Sequence, residues 1–174
     1  WPAYQSLFEV AQARGATIRT WNAVDGRRFD LDDLEAQIAA CGGSVKLIIV
    51  NFPHNPTGAT LTIDEQARLV ETAKRAGAFL FSDEMYRGLE HGDAPPLPAA
   101  CELYEKAVSL SGLSKTYACP GLRVGWLACR DAAFNETVRN LKDYTTICSS
   151  APSEILAIMV LRQRGAVIAR SKKF

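Results

Sequence analysis

Lys115 and Arg123 stand eight residues apart in the stretch 109–126, and their surroundings give both cations something to do. The apolar run 107–110 delivers Lys115 into a loop rich in serine and glycine, while Arg123 follows a Pro120-Gly121 turn and opens a second apolar run. A lysine at the end of a strand can condense with a carbonyl. An arginine close by can hold a phosphate through its planar fork of donors. Together they would serve a ligand with an aldehyde at one end and a phosphate at the other. The same two residues also fit an exposed loop lysine and a surface arginine, so other groups must decide.

Two further segments carry such groups. Asn51-Phe-Pro-His-Asn-Pro-Thr-Gly58 puts the amide of Asn55 in a loop stiffened by Pro53 and Pro56, with Gly58 free to take an unusual turn. An amide can donate to a phenolate oxygen; a carboxylate cannot. The alternative for Asn55 is a plain Asn-Pro turn. Phe81-Ser-Asp-Glu-Met-Tyr-Arg-Gly88 ends an apolar run on Asp83 and sets Tyr86 three residues later. A carboxylate against a pyridine nitrogen keeps it protonated and makes the ring an electron sink, and a tyrosine at the ring oxygen helps tune the attached imine. Asp83 also suits a helix N-cap, and Tyr86 a packed aromatic. Aldehyde, phosphate, pyridine nitrogen and ring oxygen together describe pyridoxal 5'-phosphate. Glu84 and Arg87 are expected to be structural or solvated.

These residues need a scaffold that brings them to one place. Apolar spacing predicts a helix over 6–14 ended by Gly15, and a short strand over 16–24 with Ile18, Thr20 and Asn22 on one face. A turn at Asp25-Gly26 follows, then a helix over 31–40 capped by Asp30 and stopped by Gly42-Gly43. The β-branched run 45–50 reads as a strand buried on both faces. Thr62 or Asp64 caps a helix through about residue 76, and 78–81 is another short strand. An irregular proline-rich stretch, 91–98, leads to strand 107–110, with one more strand at 124–128 and helices over 132–143 and 153–164. The last helix gathers Ile155, Leu156, Ile158, Met159 and Leu161, read as an amphipathic face. Strands alternating with helices imply a parallel sheet, but the link from Lys115 to Arg123 is too short for a crossover helix, so strand 124–128 must run antiparallel. The fold class is α/β, three-layer αβα, with a mostly parallel sheet and one antiparallel strand. Ligands of such sheets sit beyond the carboxyl ends of the strands, where Asn55, Asp83 and Lys115 all fall.

Composition sets the outer bounds. The 174 residues are 48% hydrophobic and 22% charged, with a net charge of +1, which gives no electrostatic case for nucleic acid or an anionic membrane. Cys41, Cys101, Cys119, Cys129 and Cys148 are widely spaced, as expected of reduced thiols in a cytoplasmic protein. His54 and His91 have no ligand cluster beside them, so no metal is expected. The chain starts at Trp1-Pro2 without methionine and is read as a piece of something longer.

Taken in order, the N-P-T-G loop at 55–58, the D-x-x-Y turn at 83–86 and the S-K-x(7)-R segment at 114–123 closely resemble the fold-type-I, class I/II pyridoxal-phosphate aminotransferases. The resemblance runs from Trp1 to at least Trp126. It implies that Lys115 forms the internal aldimine and shuttles the Cα proton, that Asp83 partners the pyridine nitrogen, and that Asn55 and Tyr86 meet the ring oxygen. Arg123 and Ser114 match phosphate-binding positions. Trp1, fifty-four residues before Asn55, falls where relatives stack an aromatic on the ring; a buried core tryptophan is the alternative. Many relatives keep a phosphate serine three residues before the lysine, where this chain has Gly112 next to Ser111.

The resemblance further implies residues 1–150 as part of the cofactor-binding large domain and 151–174 as the start of a helix leading to a small domain. Amino-acid and 2-oxo-acid substrates and a homodimer follow from it. So does the expectation that this segment alone is inactive. The same residues also run β-elimination, replacement or cyclisation, and the segment 142–153 with the loop 51–58 resembles amino-acid-modifying relatives such as capreomycidine synthase. A cofactor-sensing domain of a transcription regulator and a degenerate structural member are the remaining alternatives.

Overall fold

The structure is a computed structural model that describes residues 3–24, 28–42, 44–92 and 96–173. Its helices are α1 (Ala3–Ala13), α2 (Leu31–Ala40), α3 (Ile63–Arg75), α4 (Ala100–Leu103), α5 (Ala132–Thr145), α6 (Ala151–Arg162) and α7 (Arg164–Ser171). Its strands are β1 (Ala23–Val24), β2 (Arg28–Phe29), β3 (Leu47–Asn51), β4 (Phe79–Asp83), β5 (Ala107–Gly112) and β6 (Gly125–Ala128). Among the described residues the sheet order is β3-β4-β5-β6; the first three are parallel and β6 is antiparallel to β5. The short Lys115–Arg123 link thus has the consequence its length predicts.

Side chains alternate across the sheet. Ile48, Val50, Leu80 and Ala107 point to one face, where Leu69, Val70 and Ala73 of α3 and Leu31 and Leu34 of α2 complete the buried core. The other face carries Phe79, whose ring lies 5.7 Å from that of Phe134 on α5. Helices therefore cover both faces, giving the three-layer α/β fold expected from the sequence.

Local chemistry explains why the helices start where they do. The Asp30 carboxylate accepts from the backbone N–H groups of Asp32 and Asp33, and Thr62 and Glu65 form a reciprocal capping box on α3. Each cap is worth about 1 kcal/mol. Glu35 of α2 accepts from Arg68, Thr72 and Arg75 of α3, which locks the pair and holds the Glu35 carboxyl below its ordinary range, the Arg68 bond contributing most.

Four expectations need correction. Residues 16–22 form no strand; regular pairing is limited to Ala23–Val24 against Arg28–Phe29. Ile18, Thr20 and Trp21 line a cleft of about 490 Å³ together with Ile49 and Asn51 of β3, and no strand among the described residues pairs with 16–22. The Asn22 N–H donates instead to Asp33. Second, β3 is not buried on both faces, since Leu47 is half exposed on the sheet edge. Third, the expected helix over 153–164 starts at Ala151 and breaks at Gln163, and α7 follows directly. Finally, α6 is apolar around much of its circumference rather than amphipathic: Ala157 is buried, while Ile155, Leu156, Ile158 and Met159 are exposed. The turn at Asp25-Gly26 lies outside the described residues. All five cysteines are free thiols, and no helix of the described residues is long and apolar enough to cross a membrane.

Candidate active site

The register of the parallel strands aligns their carboxyl ends. Asn51 of β3 stands opposite Asp83 of β4, and Asp83 opposite Leu110 of β5, which runs on into the Lys115 loop. Around this rim a connected hydrogen-bond set forms. The Asn51 amide donates to the Asp83 carbonyl at 3.0 Å, and its oxygen accepts from the Asn55 backbone N–H at 3.0 Å. Asn55 then donates from Nδ2 to the Tyr86 hydroxyl at 3.3 Å. Asn55, Asp83 and Tyr86 are thus brought together as the sequence predicts. Gly58 takes the left-handed backbone expected of it, at φ 70°, and both the Phe52-Pro53 and Asn55-Pro56 bonds are cis.

Asp83 is buried, at 8% exposure. Its Oδ1 accepts from the Met85 N–H at 3.1 Å, and its Oδ2 accepts from the Tyr4 hydroxyl of α1 at 2.6 Å. Burial, followed by the bond to Asp83 and its charge, pushes the Tyr4 phenol well above its ordinary pKa. The next residue, Glu84, points the other way. It is also buried, accepts from the Ala100 N–H and the Ser109 hydroxyl, and burial raises its carboxyl above the usual range. Arg87 donates to the Leu97 carbonyl. Both are structural, and for Glu84 the solvated alternative is wrong.

Lys115 sits between two anchors. Leu113 is fully buried, and the Thr116 hydroxyl lies 3.0 Å from both the Met85 and Arg87 carbonyls, its proton shared between them. The lysine itself is exposed, with Nζ 5.9 Å from the centre of the Tyr86 ring. With the side chains on both sides of it anchored, Lys115 leaves its amine exposed beside the rim.

Arg123 and Ser114 are not joined to this set by hydrogen bonds. Arg123 ends a short 3₁₀ turn (Pro120–Leu122) in left-handed backbone, at φ 53°, and its exposed guanidinium donates to the Pro120 carbonyl. Ser114 is half-buried in the same loop as Lys115. Gly112 is a close-approach glycine, because a Cβ there would come within 3.0 Å of the Val124 carbonyl across the β5–β6 pair. Ser111 pairs with Trp126 on the opposite face from Gly112 and Asp83, so strand alternation points it away from the rim and leaves Ser114 as the serine beside Lys115. Trp1 lies outside the described residues.

Sequence reasoning missed three contributors. Asn51 was legible as the one amide ending an apolar run. Thr116 follows the lysine but has no distinguishing neighbour. Tyr4 is separated from Asp83 by 79 residues and carried no local signal.

The sequence matches the family described as aminotransferase class I and II over residues 1–170. The chain belongs to that family. Members are fold-type-I, pyridoxal-phosphate-dependent enzymes. Capreomycidine synthase of Streptomyces vinaceus is 36% identical over 169 residues, covering 96% of this chain and 42% of that protein. Probable N-succinyldiaminopimelate aminotransferase DapC of Mycobacterium tuberculosis is 33% identical over 171 residues, covering 97% of this chain and 43% of the relative. A PLP-dependent aminotransferase from Streptococcus suis superposes with a TM-score of 0.84 at 32% identity, over 96% of this chain and 43% of that one. The aminotransferase chain here therefore spans less than half the length of these relatives.

The Asp83 environment fits the family cofactor. A carboxylate offers about four acceptor positions, and the Tyr4 and Met85 bonds occupy two. A buried acid with acceptor capacity left, beside a phenol, an amide and an exposed lysine amine, suits a protonated ring nitrogen, a ring oxygen and a carbonyl.

Proposed function

We propose that the protein bearing this chain transfers an amino group between an amino acid and a 2-oxo acid, with pyridoxal 5'-phosphate held at the β3–β4–β5 rim. The observation that carries the reading is the Asn55–Tyr86–Asp83 set beside the Lys115 amine. Bound pyridoxal phosphate would supply an electron sink for the carbanion formed at the substrate Cα. Lys115 would be the residue that holds the cofactor through its side-chain amine, and that amine, when free, would be the group that moves a proton at the substrate Cα. Asp83 holds a proton on the ring nitrogen, and Asn55 and Tyr86 direct their polar groups at the ring oxygen. Arg123 and Ser114 hold the phosphate, with Arg123 turning from the Pro120 carbonyl to do so. The family resemblance assigns the ring-stacking aromatic to Trp1, which lies outside the described residues. Residues 1–150 act as part of the cofactor-binding domain, 151–174 lead out of it, and the protein works as a homodimer in the cytoplasm.

Borohydride reduction of the cofactor-loaded full-length protein, followed by peptide mapping, is expected to place the label on Lys115. A label on another lysine, or on none, overturns the assignment.

The 36% identity to capreomycidine synthase favours a second reading, in which the same residues serve elimination, replacement or cyclisation of an amino acid. Product analysis with a panel of amino acids separates the two. A 2-oxo acid formed with the nitrogen recovered in an added 2-oxo-acid acceptor supports transamination, whereas release of free ammonia or a product that retains the original nitrogen supports the second reading.

A further inference from the structure

Thr116, the neighbour of Lys115, is 2% exposed and grips the turn that carries Tyr86 on both sides of that residue. Its hydroxyl lies 3.0 Å from the Met85 carbonyl and 3.0 Å from the Arg87 carbonyl. Among the described residues no backbone N–H donates to either carbonyl, so one side chain is the donor for both. The turn also lies close on the methyl branch of the threonine. Gly88 has left-handed backbone, at φ 97°, and a Cβ there would come within 3.3 Å of Thr116 Cγ2. The far end of Tyr86 is held as well, since its hydroxyl accepts from Asn55 Nδ2 at 3.3 Å. The β4–β5 ladder ends at Asp83 and Leu110, and beyond it the Thr116 hydroxyl joins the Lys115 loop to the 85–88 turn.

We propose that Thr116 is a positioning residue that keeps the Tyr86 phenol in register with the Lys115 amine, so that the two address neighbouring positions on one bound ligand. The inference rests on the reading of Lys115 and Tyr86 given above. No bond to the ligand is made or broken by Thr116, which acts through the backbone on either side of Tyr86. The lysine carries its amine on a flexible stem, with Nζ 5.9 Å from the centre of the Tyr86 ring, so the precision of the pair has to come from the main chain beneath it. A hydroxyl one residue from the amine, bonded to the carbonyls that flank the phenol, makes the two segments move as one body.

The test uses Thr116→Val, which keeps the shape and removes the hydroxyl, and Thr116→Ser, which keeps the hydroxyl, in the full-length protein. In apoprotein carrying ¹³Cε-lysine, Lys115→Arg identifies the Lys115 resonance and Tyr86→Leu measures how far the Tyr86 ring displaces it. Thr116→Val should lose most of that displacement and Thr116→Ser should retain it, a readout independent of cofactor and turnover. In loaded protein, Cα-proton removal per lysine-bound cofactor should slow about tenfold in Thr116→Val with substrate affinity little changed, and Thr116→Ser should recover most of the rate. A threonine that merely stabilised the loop would lower the melting temperature and the amount of cofactor bound, and leave that rate alone. In a Tyr86→Phe background Thr116→Val should add little. An unmoved lysine resonance in Thr116→Val, or equal slowing with and without the phenol, overturns the role of Thr116. If Thr116→Val does not fold, Thr116→Ser decides, since a displaced resonance or a tenfold slower rate in that variant overturns the same role. A parental rate in Tyr86→Phe, or a borohydride label on a residue other than Lys115, overturns the reading of those two residues instead.

Discussion

The two ends of the candidate site are built differently. Where the pyridine ring would lie, Asn51, Asn55, Asp83, Tyr86 and Tyr4 are tied to one another through hydrogen bonds of 2.6–3.3 Å, and Asp83 is buried. Where the phosphate would lie, Arg123 is exposed and reaches only as far as its own turn, and Ser114 is half-buried in the loop before it. The ring end is anchored at the last residues of strands, whose positions are set by ladder register. The phosphate end stands on a loop, with two residues in left-handed backbone, Ala118 and Arg123. On the proposed reading, the preorganised end serves the electronics of the reaction and the loop end serves retention of the cofactor.

Substitutions can break this contrast. Lys115→Ala should have the largest effect, because it removes both the attachment and the proton carrier. Turnover should fall by at least about 10⁴-fold, and no label should survive borohydride reduction and mapping. Turnover within about tenfold of the parent would remove Lys115 from the chemistry. Next comes Asp83→Asn, which strikes the ring end. Cofactor should stay bound while Cα-proton exchange, followed by loss of deuterium from labelled substrate, slows about 10²–10³-fold. If that variant instead bound cofactor weakly but kept its exchange rate when saturated with it, the two ends would have been assigned the wrong way round.

Arg123→Ala strikes the other end. A charged hydrogen bond contributes about 1.5–3 kcal/mol, so cofactor affinity measured by dialysis should weaken about tenfold or more. Excess cofactor should restore most of the turnover. Failure of that rescue would mean that Arg123 does more than retain the phosphate.

The smallest effect sharpens a contrast at the carboxyl end of β4. Asp83 and Glu84 are adjacent buried carboxylates facing opposite sides, one with acceptor capacity left and one serving the Ala100 N–H and the Ser109 hydroxyl. Burial raises the Glu84 pKa, so its contribution to stability is fully present below the ordinary glutamate value and is lost as pH rises through the higher folded value. Glu84→Gln keeps an acceptor without the charge. Its melting temperature should gain on the parent by a few degrees as pH climbs through that window, on the order expected for a domain of this size. A constant difference across a pH series of thermal melts would show that Glu84 carries no such linkage.

Much of this was legible without coordinates. Asn55, Asp83, Tyr86 and Lys115 were identifiable because each sits at a junction that local chemistry marks: an apolar run ending in a polar residue, a loop bounded by proline, a serine-glycine stretch. The antiparallel β6 followed from the seven residues between Lys115 and Arg123, too few for a crossover helix. The caps at Asp30 and Thr62 followed from side-chain oxygens just ahead of apolar periodicity. These features depend on neighbours within a few residues, and sequence reports such neighbours directly.

What failed depended on partners far along the chain. Residues 16–22 alternate like a strand, yet a strand is a pairing, and the edge of β3 lies across a cleft from them. The apolar residues of α6 spread around the helix, so spacing alone could not choose the face it buries. Ser111 could stand in by sequence for the serine missing at Gly112 until strand parity turned it to the far face. Tyr4 reached Asp83 only because α1 packs over the sheet, bringing together residues 79 apart in the chain. Local hydrogen bonding and apolar periodicity are written in adjacent residues, so the sequence determined the junctions and the reactive groups placed on them. Register, facing and long-range contact depend on how whole elements share buried area, and only the tertiary structure decided those.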